Sequence, residues 1–230
     1  MRVAARILPP GPCRAQGVRL SGLVRGIACG IAALAPWLAL SSAGAKSDCQ
    51  LPSPLDSAKP SALYQVVTGP SWVRFDAKAF LHNFGGQTSR IQGTIRVADP
   101  DRLAEAQACI LIDAASLDTG NSTRDDIMRN EHLETSKFPT IDFLLQTVRA
   151  VTHRGENWEF TAEGTLSLHG VSRDTQFPVR AHREGDVIRL WGQLPGKMTD
   201  YHITIPRFLM FTVEDQVQVS FDVSARPAQR

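Results

Sequence analysis

Between Glu159 and His169 the chain alternates without a break. Phe160, Ala162, Gly164, Leu166 and Leu168 fall on one side, and Glu159, Thr161, Glu163, Thr165, Ser167 and His169 on the other. Successive strand side chains point to opposite faces, so the segment is a strand with one oily and one wet surface. Gly170 then marks a turn, and Val171-Ser172-Arg173-Asp174-Thr175 begins a second strand. A hairpin of this kind needs an antiparallel sheet whose apolar face is covered.

The same period of two recurs along the chain. It is seen at Val73, Phe75, Ala77 and Ala79, at Ile91, Gly93, Ile95 and Val97, and at Ala108, Ile110, Ile112 and Ala114. Turns are expected at Gly85-Gly86 and Asp99-Pro100-Asp101. Further strands are expected at Ile141, Phe143 and Leu145, at Ile188, Leu190, Gly192 and Leu194, and at Tyr201, Ile203 and Ile205. The clearest comes last, where Val217, Val219, Phe221, Val223 and Ala225 alternate with polar neighbours. One helix is expected, from Arg124 to Glu134, with Thr123 as its cap and Asp126 completing a capping pair. Asn121-Ser122-Thr123 also spells a glycosylation sequon, but a cap is the simpler use. The fold class is therefore all-β: an antiparallel sheet with one solvated face, closed on itself or folded to bury the other.

Residues 1–45 read as a secretory signal peptide. They carry Arg2, Arg6, Arg14, Arg19 and Arg25, no acidic residue, an apolar run from Gly26 to Leu40, and Ala43-Gly44-Ala45. The alternative is an uncleaved leader anchoring the chain in the inner membrane, but the run is shorter than the ~20 residues of a spanning helix. Export to the periplasm is the expectation. Residues 46–62, with Pro52, Pro54 and Pro60, read as a flexible tether, and residues 63–230 as one domain.

Setting the leader aside reverses the sign of the charge. The chain has 25 Lys and Arg against 23 Asp and Glu; without the five leader arginines the count is 20 against 23. A mildly acidic domain offers no electrostatic footprint for nucleic acid. Cys49 and Cys109 are the cysteines that remain, and with Cys49 in a tail both are expected to be free thiols at least as readily as a pair.

Chemistry-bearing patterns are sparse. His82, His132, His153, His169, His182 and His202 show no spacing that preorganises a metal site, and His169 and His182 fall on the outer parity or in turns. No metalloprotease, redox-dithiol, nucleophile-elbow or phosphate-loop motif is present. Neither a catalytic group, a metal nor a cofactor is expected. An eight-stranded barrel either fills itself with side chains or holds one small ligand. The small inward residues Ala77, Ala79, Gly93, Ala114, Ala162, Gly164 and Gly192 serve either outcome, because they leave room or relieve curvature.

The hairpin Gly164-Thr-Leu-Ser-Leu-His-Gly-Val-Ser-Arg-Asp174, together with Ser116-Leu117-Asp118-Thr119, Arg124-Asp125 and Lys137-Phe138-Pro139-Thr140, resembles the YceI-like family. Its members are periplasmic polyisoprenoid-binding proteins with a lipocalin-like barrel, so the resemblance implies an antiparallel β-barrel of about eight strands with one short helix. The resemblance runs from Val73 to Ala225 and departs in two places. The opening strand has Phe75-Asp76-Ala77-Lys78 where the family carries a histidine. Met128 to Leu133 stands where the family shows Leu-Arg and paired phenylalanines.

The resemblance implies an apolar cavity lined by Phe75, Ala77, Ile95, Ile110, Ile112, Ala114, Phe143, Phe160, Gly164, Leu166, Leu168, Ile203, Val219 and Phe221. Arg124 and Asp125 are head-group candidates at its mouth, although a local network, with Arg124 bonding loop carbonyls and Asp125 favouring the helix start, is the preferred reading of the pair. The expected partner is a long-chain amphiphilic lipid, with transient membrane or membrane-protein contact; the oligomeric state is left open, a homodimer included. Competing with this carrier are a ligand-free envelope interaction module with a packed barrel and a small lipid-modifying enzyme using Asp125, Asp142 or a histidine as acid or base.

Overall fold

A computed structural model describes residues 49–51, 61–79, 82–98, 103–208 and 211–228. The expected leader, residues 46–48 and 52–60 of the expected tether and the expected Asp99-Pro100-Asp101 turn lie outside the described residues.

The strands are β1 (Ala62–Val66), β2 (Trp72–Ala79), β3 (Phe84–Thr88), β4 (Ile91–Val97), β5 (Gln107–Asp113), β6 (Thr140–Arg154), β7 (Asn157–Leu168), β8 (Val171–Glu184), β9 (Val187–Lys197), β10 (Arg207–Phe208) and β11 (Phe211–Pro227). Every pairing between them is antiparallel. β1 and β2 lie end to end along β11, and β3 and β4 lie end to end against them. Each couple forms one kinked stave. With β5, β6, β7, β8, β9 and β11 they make eight staves, and β1 closes the ring by bonding both β4 and β11. Closure leaves the long staves no free edge.

The β7–β8 hairpin has a two-residue turn, His169-Gly170, with both φ values positive (53° and 73°). That geometry matches the twist of the flanking strands and favours glycine. His169 tolerates it because its ring is held: Nδ1 lies 3.0 Å from the Tyr201 carbonyl and Nε2 3.1 Å from Glu134 Oε2, while Phe138 packs edge-on at 4.7 Å. His169 was expected to be an outward or turn residue; it is in the turn, but its side chain ties that turn to two other loops.

The helical segment comprises α1 (Ser122–Ile127) and a π-helical turn, Met128–His132. Its start differs from expectation. Asn121, extended at φ −139°, is the cap, accepting a hydrogen bond from the Arg124 amide at 3.0 Å. Two other expected elements give way. Gly85 and Gly86 are not a turn but the middle of β3, where β2 runs so close that a Cβ at Gly86 would sit 2.5 Å from the Phe75 ring. Thr199–Tyr201 is a 3₁₀ turn followed by left-handed His202 (φ 56°), so alternation at Tyr201, Ile203 and Ile205 does not produce a strand.

Candidate functional site

A cavity of about 1430 Å³ runs inside the barrel from the helical segment at one end to the β6–β7 and β8–β9 hairpins at the other. Its wall follows the strand parity. β2 supplies Phe75 and Ala77; β4 supplies Ile95; β5 supplies Ile110 and Ile112. β6 contributes Phe143, β7 Phe160, Leu166 and Leu168, and β11 Val219 and Phe221. Ile203 also lines it, from the loop after β9. The densest packing lies in the hairpin half, where Val97, Ala108, Leu145, Val148, Ala162 and Val179 join Phe177 in one cluster.

Two predicted lining residues stand elsewhere. β5 ends at Asp113, whose side chain caps a 3₁₀ turn by accepting from the Ala115 amide, so the alternation stops before Ala114. Ala114 is buried and donates to the Pro139 carbonyl instead. Gly164 has the inward parity, yet a Cβ there would collide with the Leu144 carbonyl and lie 2.9 Å from the Phe143 ring. Its missing side chain is occupied space.

Gly164 belongs to a pattern that the sequence reading missed. Phe143 on β6, Gly164 on β7, Phe177 on β8, Gly192 on β9 and Phe221 on β11 form a belt across five adjacent staves. A Cβ on Gly192 would stand 2.8 Å from Phe221. Each glycine therefore lets a neighbouring ring lie flat, and the rings meet at centroid distances of 5.1 and 5.7 Å. Gly164 and Gly192 thus accommodate aromatic rings, whereas Ala77, Ala79, Ala162 and Ala181 border the lumen. Phe177 and Trp158 also line the lumen and were missed. Parity could have found both, since Phe177 lies opposite Ala162, and Trp158 is two residues before Phe160.

Polar groups collect at the helix end. Arg124, His132, Lys197 and Arg207 line the cavity there, with Glu131 as the lining carboxylate. Arg124 is pinned in place: Nε donates to Thr119 Oγ1 at 2.8 Å, Nη2 donates to the Thr119 carbonyl at 2.9 Å, and the guanidinium lies over Phe84. Asp125 does not share this position. Adjacent helical residues diverge by about 100°, so it turns instead to an outer polar hollow shared with Asp118 and Arg129. There its Oδ1 accepts from the Thr119 amide at 2.9 Å and hydroxyl at 2.6 Å. Burial pushes the Asp125 carboxyl up, but the bonds from Thr119 outweigh it and hold the group below its ordinary value. Tyr201, which also lines this end, is pushed up by burial and by Asp200.

Cys49 and Cys109, whose pairing the sequence leaves open, form a disulfide with a Cα–Cα distance of 5.5 Å. Ala108 and Ile110 line the lumen, so Cys109 between them faces outward. Cys49 is buried on that outer wall rather than trailing as a mobile tail. Among the described residues no group of three or more His, Cys, Asp or Glu is placed to hold a metal, and no helix is long and apolar enough to cross a membrane.

An antiparallel eight-stave barrel with a continuous apolar lumen and a short capping helix defines a lipocalin-like class of architecture. Within it, the YceI-like domain model matches residues 64–225, and the chain belongs to that family. No curated protein sequence matches the chain. Two solved structures share the fold. Burkholderia cenocepacia BcnA is 21% identical with a TM-score of 0.62, the match covering 69% of this chain and 98% of that one. A polyisoprenoid binding domain from Saccharophagus degradans, implicated in plant cell wall breakdown, is 18% identical with a TM-score of 0.57, over 72% and 98%.

Proposed function

We propose that this protein is an exported carrier that sequesters one long-chain polyisoprenoid or similar amphiphile in its barrel. The observation behind this is the lumen of about 1430 Å³, walled by aliphatic and aromatic side chains along the barrel. Burial is worth about 0.8 kcal/mol per CH₂, so a long chain supplies its own driving force. A preformed cavity keeps the ordering cost low. The cationic groups at the helix end then need only orient a polar head, with Arg124 the best-fixed of them. Sequestration needs no bond making, and Asp125, one acid–base candidate of the alternative enzyme, is engaged in binding Thr119. The disulfide and the arginine-flanked apolar leader both favour an oxidising compartment such as the periplasm.

The test is native mass spectrometry on protein purified from its own envelope without detergent, followed by organic extraction. A stoichiometric lipid adduct is the expected result. An apo mass that persists when prenyl and acyl lipids are added would sink the carrier and favour an interaction module.

A further inference from the structure

Trp158 lines the lumen at the hairpin end, and its indole nitrogen is buried without a hydrogen-bond partner. A buried N–H in this condition is costly, and natural proteins seldom leave one unmade. The protein groups beside it supply no acceptor side chain in the right direction. Ala181 stands directly across on β8 and has none. His153 stands across on β6, but its ring is stacked on the indole at 4.7 Å with only 9° between planes. In-plane imidazole lone pairs therefore run parallel to the indole and do not meet its N–H. His132 Nδ1, at the helix end, is also unpartnered, but a histidine donates or accepts according to tautomer. Trp158 can only donate.

We infer that the lumen holds a second polar subsite at its hairpin end, where Trp158 Nε1 donates to an uncharged oxygen of the ligand, such as a carbonyl, ether or hydroxyl. The inference rests on the carrier reading and narrows it: the preferred cargo is a long chain bearing an acceptor oxygen at the end away from the helix, not a plain hydrocarbon tail. Phenylalanine would fill the same apolar surface without the N–H. The choice of tryptophan thus discriminates between cargoes of equal length.

The experiment compares a long-chain methyl ketone with the alkane of equal length, each offered from phosphatidylcholine vesicles to the full mature domain and to Trp158→Phe. Binding is read by co-elution and by the indole N–H proton resonance of Trp158, one of four tryptophans in the chain. The ketone is expected to move that resonance downfield, and Trp158→Phe to weaken ketone binding about fivefold, the usual net worth of one hydrogen bond, with alkane binding unchanged. If the variant fails to fold, the wild-type resonance, assigned through its contacts with His153, still decides. Equal binding of both probes with a stationary resonance overturns the subsite and leaves the carrier standing. If neither probe nor any prenyl lipid binds the wild type, the carrier and the subsite fall together.

Discussion

The two ends of the barrel are closed by different physics. The hairpin half is held by buried area, with Val97, Ala106, Leu145, Val148 and Ala162 packed in one cluster. The helix end is held by directional contacts. Asn121 caps α1, Asp125 and Arg124 both grip Thr119, Arg129 Nη2 donates to the Leu117 carbonyl at 3.0 Å, and His169 joins Glu134 to the Tyr201 loop. Ile127 is 43% exposed there, although Leu117, Tyr201 and Ile203 at the same end are buried. Hydrogen bonds exchange with water at a small net cost, whereas apolar burial does not. The helix end is therefore expected to open before the hairpin half, and its π-helical turn, a feature common at functional sites, lies beside the lumen.

The largest test of this asymmetry is Leu145→Ala. Leu145 is 8% exposed within the cluster, and truncation should lower global stability by about 3 kcal/mol in urea denaturation. Asp125→Ala comes next. It leaves the Thr119 amide and hydroxyl short of an acceptor and should cost about 2 kcal/mol. Hydrogen exchange should localise most of that loss to residues 119–132, while the hairpin strands stay protected. Uniform loss of protection would show that the two ends unfold as one. Smaller again is Asn121→Ala, about 1 kcal/mol for a lost cap, with ligand entry quickened in stopped flow. An unchanged entry rate would place the opening elsewhere.

How far this was legible in the sequence follows the same division. Periodicity reports area-driven burial, so the strands from β6 to β9, and the facing of eleven of the fourteen inward candidates, follow from alternation, while Ile203 reaches the lumen from a loop. Ala114 was lost because parity does not announce where a strand stops; the Asp113 side chain that ends it is a local bond. Gly164 was misplaced because one-dimensional alternation gives the face but not what already occupies it. The ring of Phe143 comes from a neighbouring stave, more than a turn of chain away. The Cys49–Cys109 pairing spans 60 residues and depends on where Cys49 meets the outer wall, which no local pattern encodes. Arg124 and Asp125 were placed at the right end, but helical geometry sends one into the lumen and the other outside.

Acid provides the finest separation of the two ends. Hydrogen bonds from Lys137 and then His169 hold the Glu134 carboxyl below its ordinary value, and Thr119 does the same for Asp125 against the opposing effect of burial. A carboxyl whose folded value is depressed contributes stability above its unfolded value, and the contribution disappears as pH falls through the folded one. Both groups sit at the helix end, so the window lies below about pH 4, the ordinary carboxyl range, and the loss belongs there. Protonating Glu134 removes the charge that Lys137 and His169 face and frees the β7–β8 turn from the helical segment. Hydrogen exchange from pH 6 downward, corrected for intrinsic rates, should show amides of residues 122–138 losing protection before those of Val148 and Ala162. Glu134→Gln should abolish the Glu134 share of this effect while leaving the hairpin half unchanged. Loss of protection at Val148 first would mean that the packed end, not the hydrogen-bonded one, is the weak closure of the barrel.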